Sequence, residues 1–124
     1  MLIRKTASAS RLLAISIDTM ARYTNLLSTV NSVSDLRNSL VDTLKSCDLN
    51  MVYEAKDYIV AKEKPGQVSL SQLTTIEVLI NPPTLQKVHA TVNLVVHNEE
   101  LPLTRENHCQ QVFEAINQAV VASM

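Results

Sequence analysis

A single glycine, Gly66, serves a chain of 124 residues. Phosphate-cradling loops of the Walker and dinucleotide-binding kinds need several glycines, so that backbone can approach the phosphate. One glycine, following Pro65, excludes them. Aromatic residues are nearly as scarce, with no Trp, three Tyr and one Phe. No strand therefore carries the aromatic pattern on which RNA bases stack. Cys47 and Cys109 are the only cysteines, too few for a disulfide framework and without CxxC spacing. Reduced thiols in an intracellular compartment are expected. An excess of one charge is also missing: 11 Lys plus Arg stand against 12 Asp plus Glu, a net charge of −1. A general nucleic-acid binder carries a clear basic surplus, which this chain lacks. Apolar runs such as Leu12-Leu13-Ala14-Ile15 reach only four residues, well short of the ~20 residues of a membrane span.

What remains is ordinary for a globular protein: hydrophobic residues make up 46% and charged residues 19%. The length suits one domain over residues 1–124, with 1–10 as a flexible basic arm. The first fourteen residues hold Arg4, Lys5 and Arg11 with several Ser and Ala, and no acid precedes Asp18. That composition resembles an organelle transit segment. Apolar periodicity running on into the domain favours instead the basic entry to a first helix. The expected location is cytoplasmic, with organelle import as the alternative.

Spacing predicts that helix over Thr6–Val30. Leu12, Ile15, Thr19, Tyr23, Leu26 and Val30 form one stripe, and Leu13, Ile17, Met20, Thr24 and Leu27 a second. A second helix is predicted over Val33–Cys47, with Ser32 and Asp35 as a weakened capping box and Val33, Leu36, Leu40, Val41 and Leu44 buried. The period then changes to two. Strands are predicted over Met51–Lys64, Val68–Ile80 and Lys87–Asn98, separated by the Lys64-Pro65-Gly66-Gln67 turn and by Asn81-Pro82-Pro83-Thr84. A last helix is predicted over Glu106–Ala122, carrying Cys109, Val112, Phe113, Ile116, Ala119 and Val120 on one stripe. The expected fold class is α+β: two N-terminal helices, a three-stranded antiparallel meander, and a C-terminal helix packed on one sheet face.

Strand parity separates two faces. Ile76, Val78 and Ile80 with Val88, Ala90, Val92, Leu94 and Val96 make the core side. Leu73, Thr75, Glu77 and Leu79 with His89, Thr91, Asn93, Val95 and His97 make a mixed opposite side, a plain wet face or a partner surface.

Chemistry-bearing constellations are few. His89 and His97 share a face but stand roughly 26 Å apart, too far for one metal. No ligand spacing gathers His97, His108 and Cys47 around an ion. Cys109 sits on an apolar stripe and Cys47 at a helix end, places for packing rather than for an activated thiol. Glu99 and Glu100 after His97 supply a His with carboxylates, the elements of acid–base chemistry, although adjacent loop acids are usually just solvated. No cofactor motif is present. The leading expectation is therefore a non-enzymatic adaptor, chaperone or assembly factor, homodimeric, binding a protein partner or itself. Its contacts would be Leu12, Ile15, Tyr23 and Leu26 on the first helix, or Thr75, Glu77, His89, Thr91 and Asn93 on the sheet. The alternative is RNA or ribosome binding through Arg4, Lys5 and Arg11. A third reading is a small enzyme around His97, His108 and nearby acids, which requires a cleft that gathers them.

Overall fold

The structure is a computed structural model that describes residues 20–29, 32–100 and 107–124. Along the chain come β1 (Arg22–Thr29), α1 (Val33–Ser46), β2 (Asn50–Glu54), β3 (Tyr58–Lys62), a 3-10 turn at Leu70–Gln72, β4 (Thr75–Asn81), β5 (Ala90–His97) and α2 (His108–Ser123). The strands form one sheet in the order β1-β5-β4-β3-β2, every neighbour antiparallel. Strands β2 to β5 run as a meander, and β1 returns to the far edge beside β5.

The α+β class stands, but two expected elements are corrected. Within the described residues the predicted first helix is a strand, so one helix rather than two precedes the meander. Tyr23, Leu27 and Thr29 turn inward while Arg22, Thr24, Leu26 and Ser28 are exposed, the alternation of a half-buried strand. Apolar residues are dense enough here to fit a period of 3.6 as well as 2, and pairing with β5 decides between them. The predicted strand over Met51–Lys64 is two strands. It folds back at Lys56-Asp57, where the Ala55 N–H donates to the Tyr58 carbonyl at 2.8 Å. The sheet thus has five strands, not three. Residues 1–19 and 101–106 lie outside the described residues, and with them the basic arm and most of the predicted first helix.

The two helices lie where periodicity puts them. Ser32 caps α1 by accepting from the Asp35 N–H at 3.3 Å. Past its end Asp48 takes a φ of 61°, a conformation that Asp tolerates better than most side chains. The Pro65-Gly66 turn uses the glycine as expected, at φ 107°. Both helices cover the same sheet face. Leu36, Leu40 and Leu44 from α1 and Cys109 and Val120 from α2 meet Ile59, Ile76, Val78, Val92, Leu94 and Val96, all at 0% exposure. Val88, expected in this set, is exposed because β5 begins only at Ala90. Polar ties fix α2 across β1. Asn25 donates to Asn117 at 2.7 Å, and Asn107 donates to the Tyr23 hydroxyl at 2.9 Å. The Tyr23 ring also stacks on Phe113 at 5.7 Å. Among the described residues no helix is long and apolar enough to cross a membrane.

The division of faces has a direct test. Leu94→Ala is expected to lose about 2–5 kcal/mol in urea denaturation, the cost of a cavity in a packed layer. Leu26→Ala, on the opposite face, is expected to stay within about 0.5 kcal/mol of the parent. Equal losses would contradict the assignment.

Candidate active site

Antiparallel register brings four strand ends together. Arg22 stands opposite His97, Thr75 opposite His97, and Lys62 opposite Thr75. These four residues form one row on the sheet face that the helices leave open. Beside the row lies a hollow of about 430 Å³. Its lining includes Lys62, Glu63, Thr75, His97 and Glu99, with Met20, Leu70 and Leu73 as an apolar wall. The 3-10 turn at Leu70–Gln72 builds that wall, tied to the sheet end by the Glu99 N–H donating to the Ser71 carbonyl at 3.0 Å.

His97 does not stand alone in the hollow. Its Nε2 lies 2.7 Å from Oε2 of Glu77, two residues beyond Thr75 on β4. The other oxygen of Glu77 accepts from the Tyr58 hydroxyl on β3. This hydrogen bond from Tyr58 holds the Glu77 carboxyl below its ordinary pKa; partial burial opposes it, and the hydrogen bond with His97 adds to it. Tyr58 moves the other way, raised chiefly by the same bond to Glu77. Glu77 is therefore ionised at neutral pH and can only accept. Both side chains of the His97–Glu77 pair are about a third exposed, at 30% and 29%. The pair is accessible from the hollow yet held by a second donor behind it.

A second His–carboxylate pair lies at the inner wall. Nε2 of His108, the first residue of α2, is 2.7 Å and 2.9 Å from the two oxygens of Glu63. Glu63 also accepts from the Thr74 N–H at 3.0 Å, so it joins the end of β3 to the start of β4 and to α2. Glu100 caps the same helix. It accepts from the Cys109 N–H at 2.8 Å, the His108 N–H at 3.3 Å and the Asn98 side chain at 2.6 Å. The first N–H groups of a helix have no partner within it, and a carboxylate there also meets the positive end of the helix dipole. Burial pushes the Glu100 carboxyl up, but these donors together outweigh it and leave the net value lowered.

The fold thus gathers His97, Glu63 and Glu99 at one hollow and attaches His108 through Glu63. Of the adjacent acids, Glu100 is consumed by the helix start and Glu99 is free to face the hollow. Cys47 ends α1 and packs against the core, apart from this cluster. Among the described residues no group of three or more His, Cys, Asp or Glu is placed to hold a metal ion. Thr75, Glu77, Thr91 and Asn93 share the open face, as parity implied. His89 precedes β5 and is exposed, beside a separate shallow hollow with Ser28, Thr29 and Met124. Tyr23 and Leu26, read as one helical stripe, point to opposite faces of β1. Leu12, Ile15, Arg4, Lys5 and Arg11 lie outside the described residues. Sequence reading missed Tyr58 and Glu63. Period-two parity offers Tyr58 as a same-face companion of Lys62, but nothing in the sequence sets β3 against β4.

No protein-family profile and no curated protein matches the chain. Among solved structures, the di-domain ARO/CYC protein StfQ, an aromatase/cyclase from the steffimycin biosynthetic pathway, matches with a TM-score of 0.60 at 13% identity. The match covers 93% of this chain and 52% of StfQ, so the chain spans about half the length of that protein. At this identity the likeness concerns the fold. It corrects the expectation that the chain is not an enzyme, which rested on missing motifs: the same architecture serves an enzyme in StfQ.

Two outcomes follow from the cap of α2. The folded Glu100 carboxyl ionises below the ordinary value of 4.5, while in the unfolded chain it ionises near that value. Its contribution to stability is thus present above about pH 4.5 and is lost as pH falls through the folded value. Glu100→Gln is expected to cost about 1–2 kcal/mol at neutral pH and progressively less in acid; urea denaturation at the two extremes measures the difference. Burial, with Glu100 nearby, pushes the Cys109 thiol up to about 12. Iodoacetamide in mildly alkaline buffer is expected to label half-buried Cys47 and spare Cys109 until the protein is unfolded, as read by mass spectrometry.

Proposed function

We propose that this domain binds a small carbonyl-bearing organic molecule in the hollow at the sheet end and moves a proton on it, with His97 as the transfer group. The observation that carries the reading is the 2.7 Å hydrogen bond between His97 and an ionised Glu77 at the edge of the hollow. Because that carboxylate only accepts, Nε2 carries a proton, and whenever the ring is neutral its lone pair is on Nδ1. Glu77 fixes the tautomer, and Tyr58 fixes Glu77. Thr75 supplies a donor on the strand beside the imidazole and Lys62 one on the next strand, and Leu70 and Leu73 supply apolar surface for a carbon skeleton. The fold shared with an aromatase/cyclase agrees with this chemistry. Ring closure and aromatisation require a proton taken from carbon and a proton given to oxygen, both within the reach of a positioned His.

The test uses a simple ketone. The protein is expected to accelerate exchange of the α-hydrogens of cyclohexanone for deuterium, followed by NMR. His97→Gln should remove about 10²–10⁴-fold of that acceleration while circular dichroism stays unchanged. Exchange no faster than in buffer, or equally fast with a folded His97→Gln protein, would falsify the reading.

A second reading, self-association, has one observation in its favour. Leu26 and Leu79 flank Asn93 in a single row on the open face and are 59% and 39% exposed. It predicts a concentration-dependent dimer in sedimentation, dissociated by Leu26→Glu with Leu79→Glu. A monomer at high micromolar concentration rejects it.

A further inference from the structure

The carboxylates around the hollow are mostly engaged inside the protein, whereas Lys62 has no partner among the described residues and Arg22 acts on Glu77 only through its charge. Glu77 spends one oxygen on Tyr58 and the other on His97. Glu63 spends its oxygens on His108 and the Thr74 N–H. Among the described lining residues, Glu99 is the acid left without a partner, exposed at the rim of the hollow. Arg22 and Lys62 occupy the two ends of the row through His97 and Thr75, are both exposed, and make no ion pair among the described residues. Four adjacent strands at about 4.8 Å spacing put the two ends of the row about 14 Å apart. Among the described residues, Lys62, which has no partner, and Arg22, whose charge acts on Glu77 from a distance, thus flank a hydroxyl and an imidazole, against one acid without a partner.

We infer that this row is a binding site for an anionic group, a carboxylate or a phosphate, carried on an apolar chain that lies against Leu70 and Leu73. The Lys62 ammonium and the Thr75 hydroxyl are cross-strand neighbours and present a charged and a neutral donor side by side, a pairing that suits an oxyanion. Arg22 closes the other end of the row beyond His97 and adds attraction without a contact of its own being required. The apolar wall rewards a carbon tail, so a free inorganic anion uses only half of the site. This deepens the proton-transfer reading by naming its substrate class: an anionic molecule anchored at Lys62 and Thr75 lays its chain past the ring of His97.

Hexanoate and hexyl phosphate, with hexanol as the neutral control, test the inference by NMR titration of the uniformly labelled protein. Both anions are expected to shift the amides of Lys62, Thr75 and His97, with hexanol binding at least tenfold more weakly. Which of the two anions binds better identifies the headgroup. Lys62→Glu should weaken anion binding at least tenfold, and Arg22→Glu combined with Lys62→Glu should abolish it; both positions are exposed, so the fold is retained. Hexanol binding as tightly as hexanoate, or Lys62→Glu leaving anion affinity unchanged, overturns the inference. The two readings separate cleanly. Anion binding without ketone exchange sustains the site and rejects the proton-transfer reading, whereas exchange without any preference for anions does the reverse.

Discussion

β5 is the strand on which this structure depends, because it pairs on both sides, with β1 along its whole length and with β4 from Thr91 to His97. Its inward residues Val92, Leu94 and Val96 sit at 0% exposure beneath both helices. Its outward residues include Asn93 and His97. Its end leads straight into Asn98 and Glu100, which organise the start of α2. Burying three aliphatic side chains is worth roughly 1.5–3 kcal/mol each, and a slip of one position would turn all of them to water. That energetic lock on register is also what places His97 between Arg22 and Thr75. The chemistry of the open face is thus positioned by the packing of the closed one.

Carboxylates carry the second level of organisation. Glu77 joins β3, β4 and β5 through Tyr58 and His97; Glu63 joins β3, the approach to β4, and α2; Glu100 joins the exit of β5 to α2. Each satisfies donors from more than one element, so the same groups that shape the hollow hold its walls together. Partial burial favours this arrangement, since an ionised carboxylate out of water needs several donors.

Much of this was legible in the sequence. The stripe from Leu36 to Leu44, the stripe from Cys109 to Val120, the Pro65-Gly66 turn and the parity of Ile76–Ile80 against Val92–Val96 are local patterns, and each survives folding. Parity alone put Glu77 and His97 on one face. What could not be read was how strands meet. Nothing local tells β1 that its partner lies beyond residue 90, and the run from Tyr23 to Thr29 satisfies helical and extended spacing alike. The hairpin at Lys56-Asp57 carries neither Gly nor Pro, so it gave no break. The companions of His97 and His108, Tyr58 and Glu63, become visible only once cross-strand neighbours are known.

The pairing of β1 with β5 has a kinetic consequence. Arg22 and His97 are 97 − 22 = 75 positions apart, whereas Tyr58 and Leu79, partners within the meander, are 79 − 58 = 21 apart. Closing the longer loop costs about 1 kcal/mol more in chain entropy, so the meander can zip from its turns while β1 must arrive over a distance. Arg22, Met20 and the Tyr23 contact with α2 all come with β1. The β1 side of the hollow, with Met20 in its wall and Arg22 at the end of the row, is therefore expected to be the last part to be assembled. A ligand that grips it acts as a latch on the closing strand, and its affinity reports completion of the whole fold rather than the order of one loop.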